Sequence, residues 1–393
     1  MWKEPGFLQL IYFRILRSVS AGMLIVVFPY FILKNFSHPS LTLGLLYTAG
    51  TITTAFAGAL FGILFDKHPN KMLVIAVNGL LILGLLALVL GDKSLPFVFI
   101  ASALGGFSAT GSIAGGGVGG VAAPIQNAVA ARLIPENERT NAYTVLMFIG
   151  GIASIVGIAV AGILKAETNF EIAAVLAIIS IIPLLFLPKK SFRVIAKTTQ
   201  DGRGQALRNF SITGLLNGLA QGLIIPFLIP FFFLVYHVSS AQMSIYASVS
   251  GILAILAILS APWLDKNFGL VKSMILTRGI GIFAIIALPL VRYFPLAIFI
   301  YLITPALRVM ALPVQQRAIT SIAGEGDTAT VLGFNQSTRL LAASGGSAIA
   351  GLLFEQSLIA IPFYGYAVVA GYNLYLYKKF FGKKRGDEIK IKN

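Results

Sequence analysis

The sequence predicts an all-α membrane protein with twelve transmembrane helices arranged as two six-helix pseudo-repeats. Hydrophobic residues make up 57% of the 393-residue chain and charged residues only 11%, whereas a soluble domain carries about 25% charged residues. Apolar segments of ~20 residues, each long enough to cross the hydrocarbon core of a bilayer, recur from one end of the chain to the other. In addition, one short charged segment occurs twice, about half a chain length apart.

Twelve apolar segments are predicted to span the membrane, and most of the loops between them are short. They cover residues 8–34, 42–65, 71–91, 95–132, 140–164, 170–188, 210–236, 241–264, 271–291, 294–321, 328–354 and 357–377. The first segment is too long for the apolar core of a signal peptide, so we expect it to remain in the mature chain. The chain then divides into an N-terminal six-helix half (1–188), a cytoplasmic linker (189–209), a C-terminal six-helix half (210–377) and a basic cytoplasmic tail (378–393).

Basic residues are distributed unequally between the two sides of the predicted bundle. The side with both termini holds 21 of the 30 Lys and Arg, and the other side holds four: Lys34, Lys93, Lys165 and Arg292. Because basic loops stay in the cytoplasm, both termini are predicted to be cytoplasmic and the protein to lie in the cytoplasmic membrane. This topology accounts for the net charge of +16 without a nucleic-acid partner. The expected partners are the lipid bilayer and a small-molecule solute, and we expect a monomer.

Residue types that carry most enzyme chemistry are scarce in the predicted spans. The chain has no cysteine, which excludes disulfides, thiolate metal sites and cysteine nucleophiles. Its three histidines, at 38, 68 and 237, all fall in predicted turns. No metal site and no cofactor are therefore expected, and the absence of a His/Asp/Glu/Cys constellation at depth argues against an enzyme.

The repeated charged segment indicates an internal duplication. Asp66 and Asp265 are 199 residues apart, and Pro96 and Pro295 share that offset. Later pairs, such as Gly162 with Gly351, are 189 apart, so about ten extra residues lie in span four of the first half, where residues 105–120 are rich in glycine. We expect a kink, a break or an extended cytoplasmic end in this span. The alternative is that its small residues serve close helix packing.

Twelve spans, a basic central loop and a duplicated turn together resemble the major facilitator superfamily. The turn pattern of that family is G-x-x-x-D-[RK]-x-G-[RK]-[RK], and this chain departs from it at Pro69 and Asn70. The resemblance implies a central path lined by spans 1, 4, 7 and 10. It also implies that both turns form a cytoplasmic latch, in which Arg132 or Arg139 pairs with Asp66; the alternative is a plain helix-terminating turn. The candidate latch residues are Gly62, Asp66, Lys67, Lys71, Asp265, Lys266, Gly269, Arg132 and Arg139.

Five ionisable residues lie inside the predicted spans and away from their ends, and all five are arginines, whereas every carboxylate can be placed in a loop, in a tail or at a span end. A charge near the bilayer centre is costly unless a partner or water receives it, and guanidinium groups bind carboxylates and phosphates. The sequence therefore predicts a positively charged interior that receives an anionic or amphipathic solute. Arg278 is expected to reach the cytoplasmic surface instead, and capping of helix carbonyls is the alternative role for the others.

The candidate solute-binding residues are the four other arginines and five amides on polar helix faces. They are Arg308, Arg339, Arg14, Arg17, Asn217, Gln221, Gln126, Gln315 and Asn335. Each amide could instead bond helices together. The predicted function is that of a secondary transporter that works by alternating access, without a proton relay because no protonatable group lies at depth.

The alternative function is a proton-driven multidrug exporter. The 29 phenylalanines are consistent with an apolar pocket that binds drugs. Against it, span four has no arginine before Arg132, and span five lacks the Gly-Pro of the exporters that the family contains. A membrane-embedded enzyme or a channel is a third possibility, and the two-half repeat argues against a simple pore.

Overall fold

The protein is helical throughout the residues that the computed structural model describes, which are 4–107, 122–192, 204–310, 312 and 328–381. Fourteen α-helices are found in those ranges. They are α1 Pro5–Asn35, α2 Pro39–Lys67, α3 Lys71–Gly91, α4 Leu95–Gly105, α5 Ala122–Leu133, α6 Glu136–Ala161, α7 Ala166–Ile179, α8 Ile181–Leu185, α9 Gly204–Tyr236, α10 Ser240–Ile258, α11 Ala261–Ala287, α12 Phe294–Val309, α13 Thr328–Glu355 and α14 Ala360–Phe381.

Most of these helices coincide with the predicted spans. The helix α3, Lys71–Gly91, has both of its predicted ends. In the described part of the chain, eight helical stretches are long and apolar enough to cross a membrane, and α4 and α12 are shorter apolar helices. The count of twelve spans stays a prediction, because residues 313–327 lie outside the described ranges.

The fourth predicted span is interrupted, as its glycine content led us to expect. The helix α4 ends at Gly105, and Gly106 takes up a left-handed conformation with φ 62°. Glycine adopts this conformation without the strain that a Cβ would bring. The N–H of Phe107 then donates to the carbonyl of Ser102 at 3.1 Å. The glycine-rich residues 108–121 lie outside the described ranges.

The second copy of the charged turn is built differently from the prediction. We expected span eight to continue to residue 264, but α10 ends at Ile258 and α11 begins at Ala261. A proline in the first turn of α11 favours this start, because the N–H that proline lacks has no partner there in any helix. The change of direction occurs further along, at Gly269, whose φ of 66° and ψ of −179° are not helical.

Glycines allow several helix pairs to pack backbone against backbone. A Cβ on Gly22 of α1 would lie 2.2 Å from the carbonyl oxygen of Ser154 in α6. Likewise, a Cβ on Gly218 of α9 would lie 2.0 Å from the carbonyl oxygen of Arg339 in α13. Neither helix pair could approach so closely with a larger residue, which is the packing mode common among membrane helices.

The helix contacts follow the same order in the two predicted halves. In the first half, α1 packs on α6 and α7, α2 on α4, and α3 on α4 and α7. In the second, α9 packs on α13 and α14, α10 on α12, and α11 on α12 and α14. Two further contacts, α2 with α13 and α6 with α10, join helices of one half to helices of the other.

The contact between α2 and α13 is antiparallel and extends over several turns. The hydroxyl of Thr48 donates to the carbonyl of Ser344 at 2.9 Å, and the hydroxyl of Ser337 donates to the carbonyl of Ala55 at 2.7 Å. Further along, two glycines face each other: a Cβ on Gly44 would lie 2.8 Å from the Cα of Gly351. The two helices therefore touch through bare backbone at that crossing.

Candidate functional site

Arg14, Arg17 and Gln126 form a buried polar group between α1 and α5. Nη1 of Arg14 donates to Oε1 of Gln126 at 3.3 Å, and Nε2 of Gln126 donates to the carbonyl of Leu10, also at 3.3 Å. Arg14 is only 7% exposed, Arg17 4% and Gln126 2%. Arg17 lies within electrostatic range of Arg14. The structure thus brings three of the candidate solute-binding residues together.

Gly150 of α6 lies directly against the guanidinium group of Arg14. A Cβ built on Gly150 would be 2.3 Å from Nε of Arg14 and 3.1 Å from its Cζ. Nε of Arg14 has no hydrogen-bond partner in the described part of the chain. Sequence reasoning did not single out Gly150. Its place in a Gly150-Gly151 pair was the signal for a close approach.

Arg308 and Arg339 form part of a second group, at the other predicted half. Arg308 is in the last turn of α12 and Arg339 is in α13, and both side chains are half-buried. The two lie within electrostatic range of each other, and Tyr366 of α14 is in range of Arg308. In the described part of the chain neither arginine makes a hydrogen bond or an ion pair.

Arg278, which we expected to reach the cytoplasmic surface, lies beside this second group. Its guanidinium Cζ lies 5.5 Å from the ring centroid of Tyr377, a buried residue of α14. It is also within electrostatic range of Arg308 and Arg339. The aromatic face of Tyr377 is a favourable partner for this charge, and the expectation that Arg278 reaches the surface stays a prediction. Tyr366 and Tyr377, eleven residues apart and thus on one helix face, were the sequence signal.

Two of the predicted amides lie beside the backbone of Arg339. Asn217 and Gln221 flank Gly218 in α9, the residue that packs on the carbonyl of Arg339. Asn217 is half-buried and Gln221 is 8% exposed, and neither bonds to another residue in the described ranges. Gln315 and the side chain of Asn335 lie outside those ranges. No hydrogen bond among the described residues joins this group to that of Arg14.

The first copy of the charged turn contains the ion pair that the sequence allowed. Nη2 of Arg132, in α5, lies 3.4 Å from Oδ1 of Asp66, in α2. The Arg132 guanidinium also lies 4.6 Å from the ring centroid of Phe65. Lys71 donates to the carbonyl of Leu185 at 2.6 Å. Arg132 thus connects α5 to the end of α2.

The other candidate latch residues are less engaged. Gly62 is buried within α2, whereas Lys67 and Lys266 are exposed. Gly269 has the positive φ described above. The side chains of Arg139 and Asp265 lie outside the described part of the chain.

At the opposite end of α2, a carboxylate of α13 binds the start of that helix. Oε2 of Glu355 accepts the N–H groups of Ser40 at 3.0 Å and Leu41 at 3.3 Å. Oε1 lies 3.2 Å from Nδ1 of His38, a residue with φ 48°. A carboxylate at a helix N-terminus satisfies free N–H groups and interacts favourably with the helix dipole. Sequence reasoning placed Glu355 only at a span end and missed this contact between α2 and α13.

Comparisons with known proteins agree on one family. The family model "Major Facilitator Superfamily" matches residues 11–347. No curated protein sequence matches the chain. Among solved structures, the chain is similar to the xylose transporter XylE from E. coli in a partially occluded inward open conformation, with TM-score 0.75 and 15% identity over 98% of this chain and 99% of that one.

Other similar structures are those of transporters for different solutes. The human organic anion transporter MFSD10 (TETRAN) matches with TM-score 0.72 and 12% identity over 95% of this chain and 99% of that one. The nucleoside transporter NupG matches with TM-score 0.68 and 18% identity over 96% and 98%. Family and neighbours alike point to a transporter rather than an enzyme. Given the extent of the family match and the all-helical fold, this chain belongs to the major facilitator superfamily.

Proposed function

We propose that the protein moves a small organic anion or anionic amphipath across the cytoplasmic membrane by alternating access. The observation that carries this proposal is the set of arginines at depth. Arg14, Arg308 and Arg339 make no ion pair in the described part of the chain. Charged groups in such positions bind carboxylates or phosphates favourably, because the solute supplies the missing negative charge.

The moving parts in this proposal are two six-helix halves, residues 1–188 and 210–377. The repeated order of helix contacts supports this division, since α1, α6 and α7 correspond to α9, α13 and α14. The contacts of α2 with α13 and of α6 with α10 would then form the interface at which the halves rock. The linker 189–209, the tail 378–393 and both termini are assigned to the cytoplasm by the excess of basic residues on that side.

The ion pair of Asp66 and Arg132 is proposed as part of a cytoplasmic latch. It joins the end of α2 to α5, so a change in the position of α5 would make or break it. The second copy, with Asp265, Lys266 and Gly269, is assigned the corresponding role in the other half. Both copies lie at the predicted cytoplasmic ends of their helices.

Uptake into liposomes tests the proposal. Purified protein is reconstituted, and uptake of a panel of organic carboxylates and phosphate esters is compared with that of cationic dyes. We expect anion uptake, and we expect Arg308→Ala to reduce it by at least ~10-fold, since a buried charged hydrogen bond contributes about 1.5–3 kcal/mol. Arg292→Ala is the matched control, because Arg292 is exposed and lies outside the helices.

Two outcomes would contradict this function. Unchanged anion uptake by the Arg308→Ala variant at normal thermal stability would remove the role assigned to that residue. Uptake of cationic dyes without anions, driven by an imposed pH gradient, would favour the multidrug exporter instead.

A further inference from the structure

We infer that Gln126 and Gly150 set the charge preference of the transporter, by holding the guanidinium group of Arg14 in place without neutralising it. This inference rests on the proposed function and extends it from the arginines to the two uncharged residues that position one of them. Gln126 and Gly150 are positioning residues in this account, and the solute contacts Arg14.

The first step of the argument is the orientation of the Gln126 side chain. Its Nε2 donates to the carbonyl of Leu10, so its Oε1 must face Nη1 of Arg14, at 3.3 Å. Only this orientation satisfies both bonds, since the carbonyl of Leu10 cannot donate. The amide therefore orients the guanidinium as a carboxylate would, yet adds no negative charge.

The second step is the shape of the residue. Glutamate has nearly the same shape as glutamine, so a carboxylate would fit at position 126 and would pair with Arg14 at the same distance. Both side chains are more than nine-tenths buried, where an ion pair is screened very little. The choice between amide and carboxylate at this position therefore decides whether the guanidinium remains available to attract an anion.

The third step is the surface on which the guanidinium rests. Gly150 leaves room for it: the Cβ that any other residue carries would lie 2.3 Å from Nε and 3.1 Å from Nη2. Nε itself, more than nine-tenths buried, has no hydrogen-bond partner in the described part of the chain. Because α1 and α6 belong to the same predicted half, Gly150 and Arg14 keep this arrangement when the halves move, and the position of the guanidinium stays fixed.

A purely structural role for Gln126, as a bond between α1 and α5, makes the opposite prediction about two variants. Gln126→Met loses both hydrogen bonds and keeps the charge of Arg14 unpaired. Gln126→Glu keeps an acceptor for Arg14 and neutralises it. If Gln126 only joins helices, the Met variant is the more damaged of the two. If Gln126 instead keeps the charge of Arg14 from being neutralised, the Glu variant loses anion transport and the Met variant keeps much of it.

The experiment measures uptake into liposomes of several carboxylates, each paired with its own uncharged amide. For wild type we expect the acid to be preferred over the amide. For Gln126→Glu we expect that preference to fall by at least ~10-fold, because a buried ion pair replaces an unpaired charge, while the bond to the carbonyl of Leu10 is lost as it is in Gln126→Met. For Gln126→Met we expect the preference to stay within about threefold of wild type, at lower thermal stability.

Adjacent glycines supply a matched pair for the positioning role. Gly150→Ala should displace Arg14 and reduce the preference for the acid. Gly151→Ala should not, because a Cβ there would meet Ile255 of α10 and not Arg14, at 2.8 Å from Cδ1 and 3.1 Å from Cγ1 of that side chain.

The outcomes separate the two hypotheses. Wild type that shows no preference for any of the acids overturns the proposed function, and this inference with it. Wild type that prefers acids, together with a Gln126→Glu variant that keeps the preference, overturns this inference alone. A Met variant more impaired in the acid-to-amide ratio than the Glu variant would also overturn it.

Discussion

At the scale of single residues, the Asp66–Arg132 pair is the clearest charged contact of the molecule. The carboxylate and the guanidinium are 3.4 Å apart, with side chains 13% and 5% exposed. The guanidinium also faces the ring of Phe65, which is an additional favourable contact. Removal of one partner of such a buried ion pair destabilises the protein, because the charge of the other partner is left behind in a buried position.

We expect Asp66→Asn to slow transport by roughly 3–10-fold and to lower the free energy of unfolding by about 1–3 kcal/mol, because Arg132 loses its counter-charge. Initial uptake rates and thermal unfolding of the purified variant measure the two effects. The control is Lys67→Gln at the neighbouring exposed position. Equal damage from both substitutions would show that the end of α2, and not the ion pair, is what matters.

The residues that sequence reasoning found and missed differ for a physical reason. Arg14, Arg308 and Arg339 could be found because a charge in an apolar segment is unusual wherever it points. Gly150 and Tyr377 were missed, because the glycine pair and the tyrosine spacing do not say which helix lies opposite. That depends on how each helix is rotated about its axis, which a nearly all-apolar segment does not reveal. The contact of Arg278 with Tyr377 was missed for the same reason, since this aromatic partner comes from α14.

At the scale of helices, the contact of α2 with α13 joins the two predicted halves. Glu355 binds the first turn of α2 through two N–H groups and lies beside His38. The contact continues through Thr48 and Ser337. If the two helices separate at the start of α2, the bonds of Glu355 must break first, because they lie at the extreme end of the contact.

Glu355→Gln is expected to shift the protein toward the form that is open at this end. An amide keeps one acceptor but removes the negative charge from the helix N-terminus, a loss of about 0.5–2 kcal/mol that corresponds to a roughly 2–30-fold shift in population. The measurement is the labelling rate, with a membrane-impermeant maleimide, of a cysteine placed at Ser40, which is buried at this end of the contact. Glu171→Gln, exposed on α7, is the control and should leave the rate unchanged. A slower rate in Glu355→Gln would contradict the role given to this carboxylate.

Helix positions were predictable from the sequence to the extent that polar or glycine residues mark their ends. The helix α3 begins after Asn70, whose side chain accepts the N–H of Met72, and it ends where the apolar run ends. The interruption at Gly105 followed from glycine content. The boundary between α10 and α11 was misplaced, because Ser260 and Pro262 interrupt an otherwise apolar stretch only briefly and the helix resumes after two residues.

At the scale of the whole molecule, the alternating access that we propose requires α2 and α13 to move apart at Thr48 and Ser344 in every cycle. The chain has no cysteine of its own, so introduced cysteines react without background. We expect the double variant with cysteines at Thr48 and Ser344 to lose most transport when cross-linked by a short bifunctional reagent, because these positions touch across the contact. A cleavable reagent should allow transport to return on reduction. Each single variant is a control, and full transport by the cross-linked protein would show that the two helices do not separate.

The glycine pair at the crossing of α2 and α13 has a mechanical consequence. A Cβ on Gly44 would lie 2.8 Å from the Cα of Gly351, and one on Gly351 would lie 2.9 Å from the Cα of Gly44. No side chains interlock at this crossing, so the helices can tilt about it without withdrawing ridges from grooves. The crossing is therefore suited to be a fulcrum. A methyl group on either glycine would push the two helices apart at this crossing. Because Glu355 is one helical turn from Gly351, the displacement would pull its carboxylate away from the start of α2.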